Sequence, residues 1–151
     1  SLLIMENLVM NACWYPGPNG VPEFFSGAGT TYDNFFVDGC RTSSITQTNG
    51  MQGFNQYDPL IPVCGGSCIS WSYVIRAIEA QQILLQAAFF DENGLLIDTR
   101  QVDITCGVSC QFSRQEAQFI APCSASEVQL SLRFNGNVTA CTFYAPRACY
   151  C

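Results

Sequence analysis

The sequence contains no histidine and no lysine; its six basic residues are all arginine. The absence of histidine removes the commonest general base and the commonest metal ligand. Charged residues make up 12% of the chain, about half of the ordinary share. The net charge of −6 leaves no basic stripe for nucleic acid and no polybasic attraction to anionic lipid. No run of about 18 apolar residues occurs, so no segment reads as inserting into a membrane. There is no H-E-x-x-H motif and no phosphate-binding loop. Asp98 and Asp103 could form a carboxylate pair, but both fall where strand residues face solvent and serve solubility. The expectation is a protein that is not an enzyme and needs no cofactor.

What the chain has in excess is cysteine, ten in 151 residues. That approaches the level of disulfide scaffolds. The even count points to an oxidising, extracellular or cell-surface location. Cys13, Cys40, Cys64, Cys68, Cys106, Cys110, Cys123, Cys141, Cys149 and Cys151 are all expected in disulfides, with the connectivity open. Cys64-Gly65-Gly66-Ser67-Cys68 and Cys106-Gly107-Val108-Ser109-Cys110 are the same word, C-G-x-S-C. Each word could close on itself, since glycine allows a tight backbone, or bond across to the other. Bridges over longer loops restrict the unfolded chain more, which favours long-range partners for Cys13, Cys40, Cys123 and Cys141. A four-thiolate zinc site on Cys64, Cys68, Cys106 and Cys110 has permitted spacing but leaves six cysteines unexplained. A redox dithiol lacks its C-x-x-C motif. Cys149-Tyr150-Cys151 could clamp the tail or pair with a neighbouring molecule.

Both words precede strand-like stretches. Ile69, Trp71, Tyr73 and Ile75 alternate with polar or small residues, so they line one buried face of a strand. Ile83 to Phe90 is apolar on both faces, as in a central strand. Asn93-Gly94 and Asn135-Gly136 each follow such a run and predict two hairpins, the second joining Val128–Phe134 to Asn137–Tyr144. Residues 77–82 could hold a helical turn. Earlier, a short strand falls near Asn34–Val37, a weak one at Ser43–Thr48, and Met51–Pro62 reads as loop. Repeated short strands with Gly turns predict an all-β, disulfide-stapled antiparallel β-sandwich. A single domain spans 1–151, with 1–12 an arm or first strand and 145–151 a Cys-containing tail.

Three segments carry a resemblance. Asn7-Leu8-Val9-Met10-Asn11-Ala12-Cys13-Trp14, Phe89 through Ile97, and Ala121 through Leu132 resemble the opening, the central strand–turn–strand and the late strand of jelly-roll carbohydrate-binding modules of the galactose-binding-like type. The resemblance implies an eight-stranded double sheet. The cysteine content and the stretch Cys141-Thr142-Phe143-Tyr144 depart from that pattern.

Trp14 and Tyr15 flank a Pro/Gly-rich loop. They either plug the end of the core or, with Tyr57, form a platform for a sugar ring or another subunit, since such side chains suit half-wet contacts. Asp33, Asp38 and Asp58 could ligate calcium, but nothing in their spacing fixes a geometry. Asn137-Val138-Thr139 is a glycosylation acceptor pattern. Sparse charge and surplus cysteine favour a self-assembling structural subunit of an appendage, filament or coat. Docking of Ser1–Met10 onto a sheet edge would link its copies. The alternative is a carbohydrate-binding module or adhesion domain using exposed aromatics.

Overall fold

Nine strands and one short 3-10 turn account for the regular structure of residues 6–151, which the computed structural model describes. The strands are β1 Phe25–Ala28, β2 Thr30–Val37, β3 Cys40–Gln47, β4 Gln52–Pro62 and β5 Cys68–Arg76. They continue with β6 Glu79–Phe90, β7 Leu96–Asp103, β8 Ser113–Ile120 and β9 Glu127–Tyr150. All pairings are antiparallel.

The architecture turns on β9. Its first half lies between β4 and β6, and its second half lies between β3 and β5. One layer therefore runs β1-β4-β9-β6-β7 and the other β2-β3-β9-β5-β8. The two inner faces form one core, which is the packing of a β-sandwich. The expected eight strands become nine, one of which serves both layers.

Asn135-Gly136 does not turn the chain back as expected. Both residues lie inside β9, where Gly136 takes a left-handed φ of 77°. The buried Gln47 side chain holds this crossing: its Nε2 donates to the Phe134 and Gly136 carbonyls at 3.1 and 2.8 Å. Its Oε1 accepts from the Gly53 amide at 2.9 Å. Gln81 Oε1 accepts from the Asn137 amide at 3.2 Å. With carbonyls and amide so satisfied, the glycine makes a bulge between layers instead of a hairpin. Further shifts in β9 fall at Ala140 and Ala145, which have φ of 47° and 52°.

The Asn93-Gly94 hairpin does form between β6 and β7, but only Gly94 adopts positive φ. Asp91 Oδ1 organises it by accepting from the Asn93 and Leu95 amides at 2.9 and 3.0 Å. Ile69, Trp71, Tyr73 and Ile75 are fully buried, and β6 lies between β9 and β7, as the alternation and the apolar run predict.

Other expectations change. Residues 52–62 form β4 rather than loop, and 79–82 open β6 rather than a helical turn. Residues 145–150 are not a tail; they complete β9 against β5. Residues 6–12 form no strand, and Leu8 donates to the Ala148 carbonyl at 2.8 Å. Residues 1–5 of the expected arm lie outside the described residues.

The words C-G-x-S-C end up far apart. β5 and β8 follow them and pair with each other, Cys68 opposite Ile120 and Ile75 opposite Ser113. An antiparallel ladder sets their starts at opposite ends, roughly 25 Å apart for a strand of this length. A shared zinc ion or a disulfide between words is thereby excluded. The bridges present are Cys13–Cys40 and Cys68–Cys151. Cys64, Cys106, Cys110 and Cys123 are exposed free thiols, and Cys141 and Cys149 are buried ones, so the expectation of ten paired cysteines is not met.

Candidate functional site

Of the two roles open to Trp14 and Tyr15, the structure gives Trp14 that of the core plug, and the three aromatics do not share one exposed face. Trp14 is fully buried against Phe25, Tyr32 and Phe143, with ring centroids 5.3 to 5.9 Å away. It plugs the core, where hiding so large a ring is worth about 4–6 kcal/mol in transfer terms. Tyr57 is also buried, and its hydroxyl accepts from the Met10 amide at 3.1 Å. Tyr15 alone is exposed, at 64%, on a loop braced by Asn11. Asn137 is exposed beside the β9 crossing.

The acidic pairs do not converge either. Asp33 Oδ2 accepts from Thr42 and Ser44, Asp38 Oδ2 from the Tyr144 hydroxyl, and Asp58 Oδ1 from Ser26 and Gln56. These are three separate places. Asp98 and Asp103 are five residues apart on β7, an odd spacing that sends them to opposite faces. Asp98 instead pairs with Arg100 at 2.8 Å.

A different surface gathers polar side chains that bond one another. In the β1-β4-β9-β6-β7 layer the inner face takes Tyr57, Leu130, Leu132, Phe134, Ile83, Leu85 and Phe89. The alternation then sends Gln52, Phe54, Gln56 and Asp58 of β4 outward, with Gln129, Ser131, Arg133 and Asn135 of β9. Gln82 and Gln86 of β6 and Gln101 of β7 extend the same face. The register places Gln56, Ser131 and Gln86 in one row across three strands, and Phe54, Arg133 and Leu84 in the next. Ser131 and Leu84 are buried although they point outward, and the Arg133 side chain bonded to Ser131 Oγ covers that serine.

These groups orient one another. Arg133 Nη2 donates to Gln56 Oε1 at 3.0 Å and Nε to Ser131 Oγ at 3.0 Å. Gln56 Nε2 donates to Asp58 Oδ1 at 3.1 Å, which also accepts from Ser26 Oγ at 2.6 Å. Asn135 Nδ2 donates to Gln82 Oε1 at 2.9 Å, and Gln101 Nε2 to Gln86 Oε1 at 2.7 Å. The Arg133 guanidinium lies over the Phe54 ring, 4.5 Å from its centroid. Burial lowers the pKa of this guanidinium, partly opposed by Tyr73 beneath it; arginine stays charged near neutral pH nonetheless. At the far edge, hydrogen bonds from the Thr105 hydroxyl and amide hold the Asp103 carboxyl below the usual carboxylate range.

Amides offer donor and acceptor side by side, and the guanidinium adds a flat plane with a directed fork of donors. Side chains held in place by one another in this way can offer paired donors and acceptors to hydroxyl groups. The residue pattern conceals this face because the inward residues of β4 include Gly53 and Asn55, which are not aliphatic. Among the described residues, no cluster of three or more His, Cys, Asp or Glu is placed to hold a metal.

No protein-family model and no curated protein matches the sequence. Solved structures do match. The CBM22-1 xylan-binding domain from Paenibacillus barcinonensis superposes with a TM-score of 0.60 at 11% identity, covering 99% of this chain and 97% of that one. A CBM4 structure gives 0.56 at 13% identity, covering 95% and 99%. The enzymatically active domain of bacteriophage CBA120 tailspike protein 4 gives 0.70 at 14% identity over 96% of this chain. This chain spans only 21% of that tailspike and 26% of an arabinose-bound α-L-arabinofuranosidase that it also matches. The chain has the β-sandwich fold of these carbohydrate-binding modules.

Proposed function

We propose that this chain is a non-catalytic, extracellular carbohydrate-binding module whose ligand lies across the outward face of the β1-β4-β9-β6-β7 layer. The observation that carries this reading is the row Ser26–Asp58–Gln56–Arg133–Ser131, joined by hydrogen bonds, with Arg133 seated on Phe54. Sugar hydroxyls would exchange bonds with the Gln and Asn amides. A pyranose face would rest on the guanidinium plane, and binding would order few side chains because the row is already fixed. The fold likeness to a module described as xylan-binding supports the reading, as do the two disulfides, a kind of bond that persists in oxidising surroundings.

A glycan array followed by calorimetry on the best hit tests it. Arg133→Ala and Gln56→Ala are expected to weaken binding at least tenfold with the fold retained by circular dichroism. Tyr15→Ala is expected to leave binding unchanged. Loss of binding in Tyr15→Ala with full binding in Arg133→Ala would move the site to the end loop.

A second reading, self-association into an oligomer or filament, draws on one feature. Edge strand β2 exposes adjacent Phe35 and Phe36, at 47% and 56%. Apolar groups on an open edge favour strand-to-strand pairing between copies. Analytical ultracentrifugation of Phe36→Lys against the parent chain tests it.

A further inference from the structure

We propose that Cys64 is the attacking thiol of an internal thiol–disulfide exchange with the Cys68–Cys151 bridge. Three cysteines line one space at one end of the sandwich. Cys64, a free and exposed thiol, lines a cavity of about 350 Å³ together with Cys68 and Cys151. Pro62, Val63, Ser67 and Tyr150 complete its walls. The thiol and the disulfide thus share one mostly apolar space.

The backbone keeps Cys64 close to Cys68. The Ser67 amide donates to the Cys64 carbonyl at 3.0 Å, closing a tight turn. Ser67 Oγ donates to the same carbonyl at 2.5 Å and accepts from the Cys64 amide at 3.3 Å. Gly66 takes a φ of 81°, which the turn requires and which other residues resist. At Gly65 a Cβ would lie 2.0 Å from the Cys123 carbonyl oxygen, so the neighbouring loop braces the turn. On the other side, Cys151 lies beyond the end of β9 and donates one backbone bond, to the Cys68 carbonyl at 3.1 Å. Little structure has to break for Cys151 to leave.

The step balances without an outside oxidant or reductant. Cys64 loses its proton to solvent, and its thiolate attacks Cys68 Sγ. A Cys64–Cys68 bond forms as the Cys68–Cys151 bond breaks. The electron pair departs on Cys151 Sγ, which takes up a proton. The number of disulfides is unchanged. The product closes the short word C-G-G-S-C and presents Cys151 as a new exposed thiol, available to an external disulfide. The parent bridge spans 83 residues in sequence, so chain entropy favours it and makes it the resting form. The second word has no such partner, because no disulfide adjoins Cys106 or Cys110 among the described residues.

The test is non-reducing peptide mapping by mass spectrometry after incubation at pH 8.5 and acid quench. Oxidised glutathione is added in one arm to trap the released thiol. Unmodified protein is expected to yield a Cys64–Cys68 peptide and, with glutathione, an adduct on Cys151. Cys64→Ser, and unmodified protein whose Cys64 has first been alkylated, are both expected to yield neither. Cys123→Ser is expected to behave like the unmodified protein. The inference is overturned if incubation leaves Cys68–Cys151 as the sole bridge at that end. Loss of the products in Cys123→Ser, or a Cys64–Cys123 bridge at the outset, overturns it equally.

Discussion

Arg133 and Phe54 are direct cross-strand partners on β9 and β4, and the guanidinium carbon lies 4.5 Å from the ring centroid. Few geometries constrain a long side chain so well. The ring supports one face while Gln56 and Ser131 fix the edge. A stack of this kind contributes about 0.5–1 kcal/mol at a partly exposed site. Arg133→Lys keeps the charge but loses the plane and the fork. We expect it to lower stability by about that amount and to weaken glycan affinity about tenfold, read by urea unfolding and by calorimetry. A lysine variant that binds as well as the parent would show that charge alone suffices.

The two glycines of Cys64-Gly65-Gly66-Ser67-Cys68 are required for different reasons, and substitution separates them. Gly66 has a left-handed φ with open space around it. Gly66→Ala should cost about 1–2 kcal/mol, the penalty of that backbone region for an L-residue. Gly65 has no such φ, but a methyl there would meet the Cys123 backbone at 2.0 Å. Two backbones would have to part, so Gly65→Ala should cost more than Gly66→Ala. Parallel urea titrations of the two variants give the comparison.

The tryptophans offer a cleaner contrast, since both are fully buried. Trp71 Nε1 donates to the Ser131 carbonyl at 2.9 Å, tying one layer to the other. Trp14 Nε1 has no partner among the described residues. Replacement by phenylalanine removes similar volume in each case. At position 71 it also strips a hydrogen bond from a buried carbonyl, whereas at position 14 it removes an unsatisfied donor. Trp71→Phe should therefore be the more destabilising by about 1–2 kcal/mol. Equal losses would show that packing outweighs the hydrogen bond.

The same contrast shows how much the residue pattern can reveal. β5 is legible because its inward residues are all large and apolar and its outward ones are mostly small or polar. β4 is not. Its inward Asn55 is fully buried only because Tyr73 donates to its carbonyl and its own amide donates to the Tyr32 hydroxyl. Those partners are distant in sequence, so local alternation cannot announce them. The length of β9 was hidden likewise, since Asn-Gly signals a hairpin unless a remote side chain such as Gln47 satisfies the opened carbonyls. The face proposed for glycan inherits both difficulties. It draws on four strands, and the local pattern misreads the course of two of them, β4 and β9; it also uses amides and one arginine rather than the aromatics Trp14, Tyr15 and Tyr57. Trp14 and Tyr57 are aromatic because the core needs them.

Cys141 supplies a test of the core by pH. Its thiol is buried opposite Ile45, and burial pushes its pKa up to about 12. The unfolded chain would release this proton near the ordinary thiol value of about 8.5. Below that value both states hold the proton, and the full stability is present. Between there and pH 12 the unfolded state ionises first, so it binds fewer protons and stability falls as pH rises. The slope approaches about 1.4 kcal/mol per pH unit. Tyr32, Tyr73 and Tyr144 are shifted upward as well, mainly by burial, and act in the same direction. Comparison with Cys141→Ala isolates the thiol. Unfolding free energies measured from pH 8 to pH 11 should converge, the parent losing stability faster than the variant. Parallel curves would mean that Cys141 ionises in the folded protein and that water reaches the core beside Ile45.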